Sequence, residues 1–133
     1  MFKTEVNVAI ALIIFEKSVL VGWRGAEQHQ GNKNEFPGGK VEHNEMPEKA
    51  CQREIFEEVG IEILDWRKVD FIQHEYDDVI VNLYVYLSEL TQLKHECIKA
   101  PWFWIDCQQI QTLNFPKAND IILKRLSEGD YFQ

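Results

Sequence analysis

Apolar and polar positions along the chain change period several times, and each change predicts an element. Glu5–Phe15 is rich in Val and Ile with small residues between them. It is too short for a buried helix bounded by polar ends, which predicts a strand buried on both faces. Val19–Arg24 is its expected hairpin partner, with Glu16, Lys17 and Ser18 at the turn. The polar stretch Gly25–Asn34, which carries Gly25 and Gly31, predicts an exposed loop, and connections of roughly ten residues are often functional. After the sharp turn expected at Phe36-Pro37-Gly38-Gly39, Pro47–Val59 predicts a helix, with Pro at its first position, acidic Glu48 near its positive end and Gly60 as its stop. Met46 stands at its cap, where Ser, Thr, Asp or Asn would satisfy a free N–H, at a cost of about 0.5–2 kcal/mol. Strands are expected at Val69–Tyr76, at Val79–Leu87 beyond an Asp77-Asp78 bend, and at Trp102–Asp106, where alternation puts at least one of Trp102, Phe103 and Trp104 in the core. A closing helix, Ala118–Glu128, turns Ile122, Leu123 and Leu126 inward. Irregular alternation of strands with two helices predicts an α/β fold with a mixed sheet and helices packed on its faces.

Composition bounds what such a fold can do. The 133 residues point to a single domain, 1–133, and 45% hydrophobic with 27% charged residues is an ordinary globular balance that folds without a partner. A net charge of −8 argues against a basic surface gripping duplex nucleic acid, yet admits a small anionic substrate if a bound cation inverts the local charge. Cys51, Cys97 and Cys107 form neither a C-x-x-C pair nor a disulfide framework, so they are expected to be small buried hydrophobes in a reducing cytoplasm. The longest apolar run, Val8–Phe15, is far short of a membrane span, and a cytoplasmic chain without membrane contact, monomeric or weakly dimeric, is expected.

The segment richest in chemistry is Arg53-Glu54-Ile55-Phe56-Glu57-Glu58-Val59-Gly60-Ile61. Glu54, Glu57 and Glu58, at i, i+3 and i+4, place three carboxylates on one helical face, where each like-charge pair costs an isolated helix about 0.2–0.5 kcal/mol. A hard divalent cation such as Mg2+ or Mn2+ removes that liability, because it takes oxygen ligands and retains water and phosphate oxygens. By itself the triplet also fits a solvated acidic face on which Arg53 relieves Glu57. The preceding Gly39–Glu45 changes the balance, since a glycine turn brings backbone close to the helix and another carboxylate follows.

Gly39, five residues, Glu45, seven residues and the run from Arg53 to Ile61 match the Nudix box, G-x5-E-x7-R-E-U-x-E-E-x-G-U with U aliphatic, at every defined position. The chain therefore resembles the Nudix hydrolases. The resemblance implies an α/β/α sandwich and Mg2+-dependent hydrolysis, with Mn2+ able to substitute, of nucleoside diphosphates linked to a further group. Carried over, it makes Glu54, Glu57 and Glu58 metal ligands assisted by the Gly38 carbonyl. Arg53 would orient those carboxylates with Glu45 as its partner, and Glu54 would be the general base. A base or further ligand from a distant loop occurs in some members, and Glu96 is the candidate for it here.

The likeness continues outside the box, toward the Nudix subfamily that converts 8-oxo-dGTP to 8-oxo-dGMP and pyrophosphate and so guards against mutation in DNA. Arg24-Gly25-Ala26, His29, Asn32-Lys33, Glu35-Phe36-Pro37-Gly38-Gly39-Lys40 and Phe115-Pro116-Lys117-Ala118-Asn119 resemble its corresponding stretches. The implied substrate residues are Arg24, His29, Glu35, Phe36, Pro37, Gly38, Lys40, Asp78 and Asn119. An Asn amide suits a purine edge because it offers both a donor and an acceptor, an Arg suits a base carbonyl and a Lys suits phosphate. Asn119 could equally cap the final helix. Tyr76 and Val79, with Trp23 and Gly25, depart from the subfamily pattern. Pyrimidine triphosphates and ADP-ribose are the alternative substrates, and a non-catalytic recognition module is the alternative of another class.

Overall fold

The structure, a computed structural model, describes residues 3–132, so residues 1, 2 and 133 of the expected domain lie outside it. Strand β1, Thr4–Phe15, is the central strand. On one side it runs parallel to β6, Val79–Glu89, and on the other it pairs antiparallel with β2, Ser18–Arg24, and with the three-residue β4, Gly38–Lys40. Strand β3, Lys33–Glu35, and strand β7, Phe103–Asp106, both pair with β2, and β5, Arg67–Glu75, closes the far edge against β6. The sheet is therefore mixed, with seven strands, as the irregular alternation predicts.

Alternation along β1 divides two cores. Ile10, Leu12 and Ile14 point to the layer of the C-terminal helix, where they meet Ile110, Phe115, Ile122 and Leu126. Ala9, Ala11 and Ile13 point to the other layer, against Ala50, Cys51 and Ile55 of helix α1, Pro47–Val59. Both faces of β1 are buried from Ala9 to Ile14, as expected, whereas Glu5 and Asn7 are exposed and Val6 and Val8 half-buried; the result is an α/β/α sandwich. Small residues on the α1 side let the helix approach the sheet closely.

Local chemistry accounts for the ends of α1. Met46 forms no side-chain cap, Pro47 opens the first turn, and Gly60 takes the left-handed conformation at φ +84°, donating its N–H to Ile55 O. Elements too short to show a period add to the expected set: β3, β4, helix α2 at Gln92–Glu96, and 3-10 turns at Cys107–Thr112 and Lys117–Asn119. The last of these replaces the first turn of the expected 118–128 helix, leaving α3 at Asp120–Ser127. Trp102 and Trp104 pack partly buried in the α1-side core while Phe103 is 39% exposed, which is the alternation expected there. Cys51 and Cys107 are buried, but Cys97 is exposed, contrary to expectation, because α2 lies outside both cores. Among the described residues no helix is long and apolar enough to cross a membrane.

One polar contact fastens the C-terminal layer to the sheet edge. Asp70 Oδ2 on β5 accepts from Tyr131 Oη at 2.6 Å and Arg125 Nη1 at 2.5 Å, and Oδ1 accepts the Phe71 N–H at 2.9 Å. Burial alone would raise the Asp70 pKa, but these hydrogen bonds outweigh it and hold the group below its ordinary value. Because the folded value is the lower one, the stabilisation is present above the unfolded carboxylate pKa and is lost as pH falls through the folded value. Asp70→Asn is expected to cost about 1–3 kcal/mol in denaturant unfolding at pH 7 and to flatten the acid limb of a stability–pH curve; an unaltered acid limb would show that the contact contributes little.

Candidate active site

Two glycines bring the carboxylate helix against the sheet. Gly38 pairs with Ile10 at φ +146°, and a Cβ there would lie 2.1 Å from the Ala9 carbonyl oxygen. At Gly39 a Cβ would lie 2.3 Å from Glu54 Oε2, so only a bare backbone admits that carboxylate. The preceding Pro37 carbonyl accepts the Ala11 N–H at 2.9 Å, and the Gly38 N–H donates to Glu58 Oε1 at 3.0 Å. Helix and turn are thus joined through backbone groups on one side and carboxylates on the other.

Arg53 organises the acids. Its Nε and Nη2 donate to Glu45 Oε2 and Oε1 at 2.8 and 3.0 Å, a two-pronged contact, and Nη2 also reaches the Lys40 carbonyl at 3.1 Å. Nη1 donates to Glu54 Oε1 at 2.7 Å and to Glu57 Oε2 at 3.4 Å. The hydrogen bonds from Arg53, joined by the Glu42 N–H, hold Glu45 below the ordinary carboxylate pKa. Glu58 behaves oppositely: it reaches solvent, but desolvation by the protein packed around its carboxylate first, then the negative charges of Glu54, Glu35 and Glu57, push it up to about 7 against the opposing Gly38 N–H.

Among the described residues no three His, Cys, Asp or Glu side chains are already gathered as a metal cage. Glu54 and Glu57 turn toward Arg53, and Glu58 toward Gly38. The donor set nevertheless fits a hard divalent cation. All its ligating atoms are oxygens, and the desolvated, mutually repelled Glu58 is the kind of carboxylate a nearby positive charge returns to its ionised form.

Glu54 and Glu58 form one wall of a cleft of about 510 Å3. Its apolar floor comes from Val6, Val8 and Ile10 of β1 and from Val81 and Leu83 of β6, and Arg24, His29, Glu35, Lys40, Asp78 and Asn119 complete its rim. Arg24 is a loop holder here: Nε and Nη2 donate to the His29 carbonyl at 3.1 and 2.8 Å, and Nη1 to Glu35 Oε1 at 3.1 Å. Burial raises the Glu35 pKa even so, with Arg24 pulling the other way. His29 Nε2 lies 3.1 Å from Asp78 Oδ1, and that contact lowers the Asp78 pKa. Asn119 is 8% exposed and makes no side-chain cap; its Nδ2 donates to the Pro116 carbonyl at 3.3 Å instead.

Several expected site residues stand elsewhere. Phe36 is buried beneath the cleft against Phe115, with ring centroids 4.7 Å apart, and Pro37 is fully buried. Glu45 and Arg53 lie behind the wall, and Glu57, with a side chain 56% exposed, faces outward beside them. Glu96 is exposed on α2, where its Oε1 accepts from Gln92, and it is absent from the cleft lining because α2 packs beside Phe15 and Trp104. Gln28, Gln30, Tyr76, Pro116, Ala118 and the aliphatic floor also line the cleft, although none of them is among the substrate residues the resemblance implies. For the floor a signal exists: Val6, Val8 and Ile10 recur at every second position, as do Val79, Val81 and Leu83, which marks one face of two parallel strands.

With that geometry established, the likeness to known proteins is specific. A family model described as "NUDIX domain" matches residues 9–125. The 8-oxo-dGTP diphosphatase of Escherichia coli K12 is 30% identical over 130 residues, covering 92% of this chain and 96% of the relative. The CTP pyrophosphohydrolase of the same organism is 35% identical over 116 residues, covering 85% and 83%. The crystal structure of a MutT protein from Methanosarcina mazei Go1 shares the fold with a TM-score of 0.82 over 98% of each chain, at 21% identity. Family match, fold and the carboxylate-bearing cleft agree: the chain belongs to the Nudix family and is a Nudix hydrolase.

Proposed function

We propose that the enzyme cleaves a nucleoside triphosphate between its α and β phosphates, releasing monophosphate and pyrophosphate, with 8-oxo-dGTP as the favoured substrate and nucleotide-pool sanitising as its role. The observation that carries this reading is one cleft that holds the Nudix carboxylates Glu54 and Glu58 together with an apolar floor and the Asn119 amide. Acids at one end suit a cation-bound polyphosphate, and a flat floor with an amide at its rim suits a purine. The similarity to 8-oxo-dGTP diphosphatases supports the same assignment.

Nudix hydrolases generally use divalent metals such as Mg2+, and the residues to hold Mg2+ or Mn2+ here are Glu54, Glu57 and Glu58, with the Gly38 carbonyl. When bound, the cation neutralises phosphate charge and lowers the pKa of the attacking water. Glu54 accepts the proton of that water as general base. Arg53, tied to Glu45, positions Glu54 and Glu57 without touching substrate. Lys40, at the rim and exposed, contacts phosphate as a compact positive charge. His29 and Asp78 border the sugar. Arg24 shapes the loop that carries His29. The Asn119 amide reads the base, and Phe36 and Pro37 support the turn from below.

A second substrate reading has its own support, since the CTP pyrophosphohydrolase relative points to a pyrimidine triphosphate in the same cleft. Retention of Glu54, Glu57 and Glu58 opposes a recognition module without turnover.

Steady-state assays with Mg2+ across 8-oxo-dGTP, dGTP, CTP and ADP-ribose separate these readings. The highest kcat/KM is expected for 8-oxo-dGTP; a value no better than that for dGTP would remove it as the favoured substrate. Glu54→Gln is expected to lower kcat by about 10²–10⁴, the usual contribution of a positioned base, and undiminished turnover would contradict the mechanism. Arg53→Lys keeps the charge but loses the two-pronged contact to Glu45, and is expected to weaken Mn2+ binding about 10–100-fold by titration calorimetry. Wild-type affinity in that variant would show that the fork does not position the ligands.

A further inference from the structure

Two cleft residues carry hydrogen-bonding groups that the chain leaves unused. Tyr76, which follows β5, accepts the Ala118 N–H on its Oη at 2.9 Å, and among the described residues its own O–H proton has no acceptor. The phenol stays protonated near neutral pH, since burial raises its pKa above the ordinary value. Its ring is held in place by His29 and His74, which meet it edge-on at centroid distances of 5.1 and 4.5 Å. Asn119 follows Ala118 directly. One Nδ2–H is engaged by the Pro116 carbonyl, which sets the amide's orientation and leaves Oδ1 and the second N–H for the cleft. Both side chains line the cleft above Val8, Ile10, Val81 and Leu83.

The rim of the base subsite thus offers two donors and an acceptor: the Tyr76 O–H, the Asn119 Nδ2–H and the Asn119 Oδ1. The complement is a heterocycle edge on which two carbonyls flank a ring N–H. Oxidation of guanine at C8 creates that edge, with O6, N7–H and O8. Unmodified guanine presents O6 and a bare N7, both acceptors, so N7 would oppose the Asn119 oxygen and the Tyr76 donor would face a C–H.

Resting on the guanine reading above, we propose that Tyr76 is a specificity-determining residue: its O–H donates to O8 of 8-oxoguanine, while the Asn119 amide donates to O6 and accepts N7–H. The Tyr76–Ala118 contact serves this role by fixing Oη against the backbone that leads into Asn119. Oxidised guanine then satisfies both side chains, and guanine leaves one donor unpaired.

The test compares Tyr76→Phe with wild type on 8-oxo-dGTP and dGTP. The ratio of kcat/KM for 8-oxo-dGTP to that for dGTP is expected to fall about three- to tenfold, the value of one neutral hydrogen bond, with the loss in KM rather than kcat. A purely structural role would lower both substrates together and leave the ratio in place, which overturns the proposal. If wild type itself shows no preference for 8-oxo-dGTP, the guanine-oxidation reading fails with it; a wild-type preference that survives intact in Tyr76→Phe defeats only the assignment of Tyr76. A measurement on the unaltered protein guards against misfolding of the variant. With tyrosine labelled at 13Cζ, addition of 8-oxo-dGMP is expected to shift a resonance that dGMP leaves in place, and identical responses to the two nucleotides would also overturn the proposal.

Discussion

The site depends on a contact in which no side chain stands between backbone and carboxylate. At Gly39 the Glu54 carboxylate occupies the space a Cβ would fill, and at Gly38 the backbone lies against Ala9 of the central strand. A Cβ at Gly38 would drive the turn off the central strand, and one at Gly39 would displace the Glu54 carboxylate from the backbone. The small Ala9 and Ala11 on the same side of β1 belong to this constraint, because they admit Ala50, Cys51 and Ile55 of the helix at close range. The position of the acids in the cleft therefore follows from packing between the central strand and one helix.

That packing concentrates charge. Glu35–Glu58 contains seven acids and three bases, a net of −4, so half of the chain's −8 falls in 24 residues. Arg53 draws Glu45, Glu54 and Glu57 around one guanidinium, a role that a fork of five donors can fill and a single ammonium cannot. Glu58 stays outside that arrangement, held by the Gly38 N–H, and desolvation by the surrounding protein, with the charges of Glu54, Glu35 and Glu57 behind it, raises its pKa.

The other end of the cleft is assembled differently, from segments far apart in the chain. Arg24 holds the His29 carbonyl, His29 meets Asp78 and the Tyr76 ring, and Tyr76 accepts from Ala118. Loop, strand turn and C-terminal segment are thereby joined around the rim of the cleft. That rim accordingly rests on contacts between elements, whereas the carboxylate wall rests on spacing within one helix.

This division explains what was legible beforehand. Strand β1, helix α1 with its Gly60 stop and the acid triplet follow from local period, capping and i, i+3, i+4 spacing, all of which operate over a few neighbouring residues. The mixed sheet followed from the order of those elements. Strands β3 and β4 and helix α2 were not legible, because three to five residues carry no period and exist only by pairing or packing with distant chain. For the same reason the sequence could present Phe36, Arg24, Asn119 and Glu96 only as residue types. Tertiary structure buried Phe36 against Phe115, engaged Arg24 with Glu35 and His29, turned the Asn119 amide from a possible cap to the cleft rim, and left Glu96 outside it. By itself the sequence determined which chemistry the protein carries, since the carboxylate triplet of a Nudix helix is a local pattern. Which groups face the cleft was decided only when remote segments met, since a side chain's free hydrogen-bonding capacity is what its neighbours leave unused.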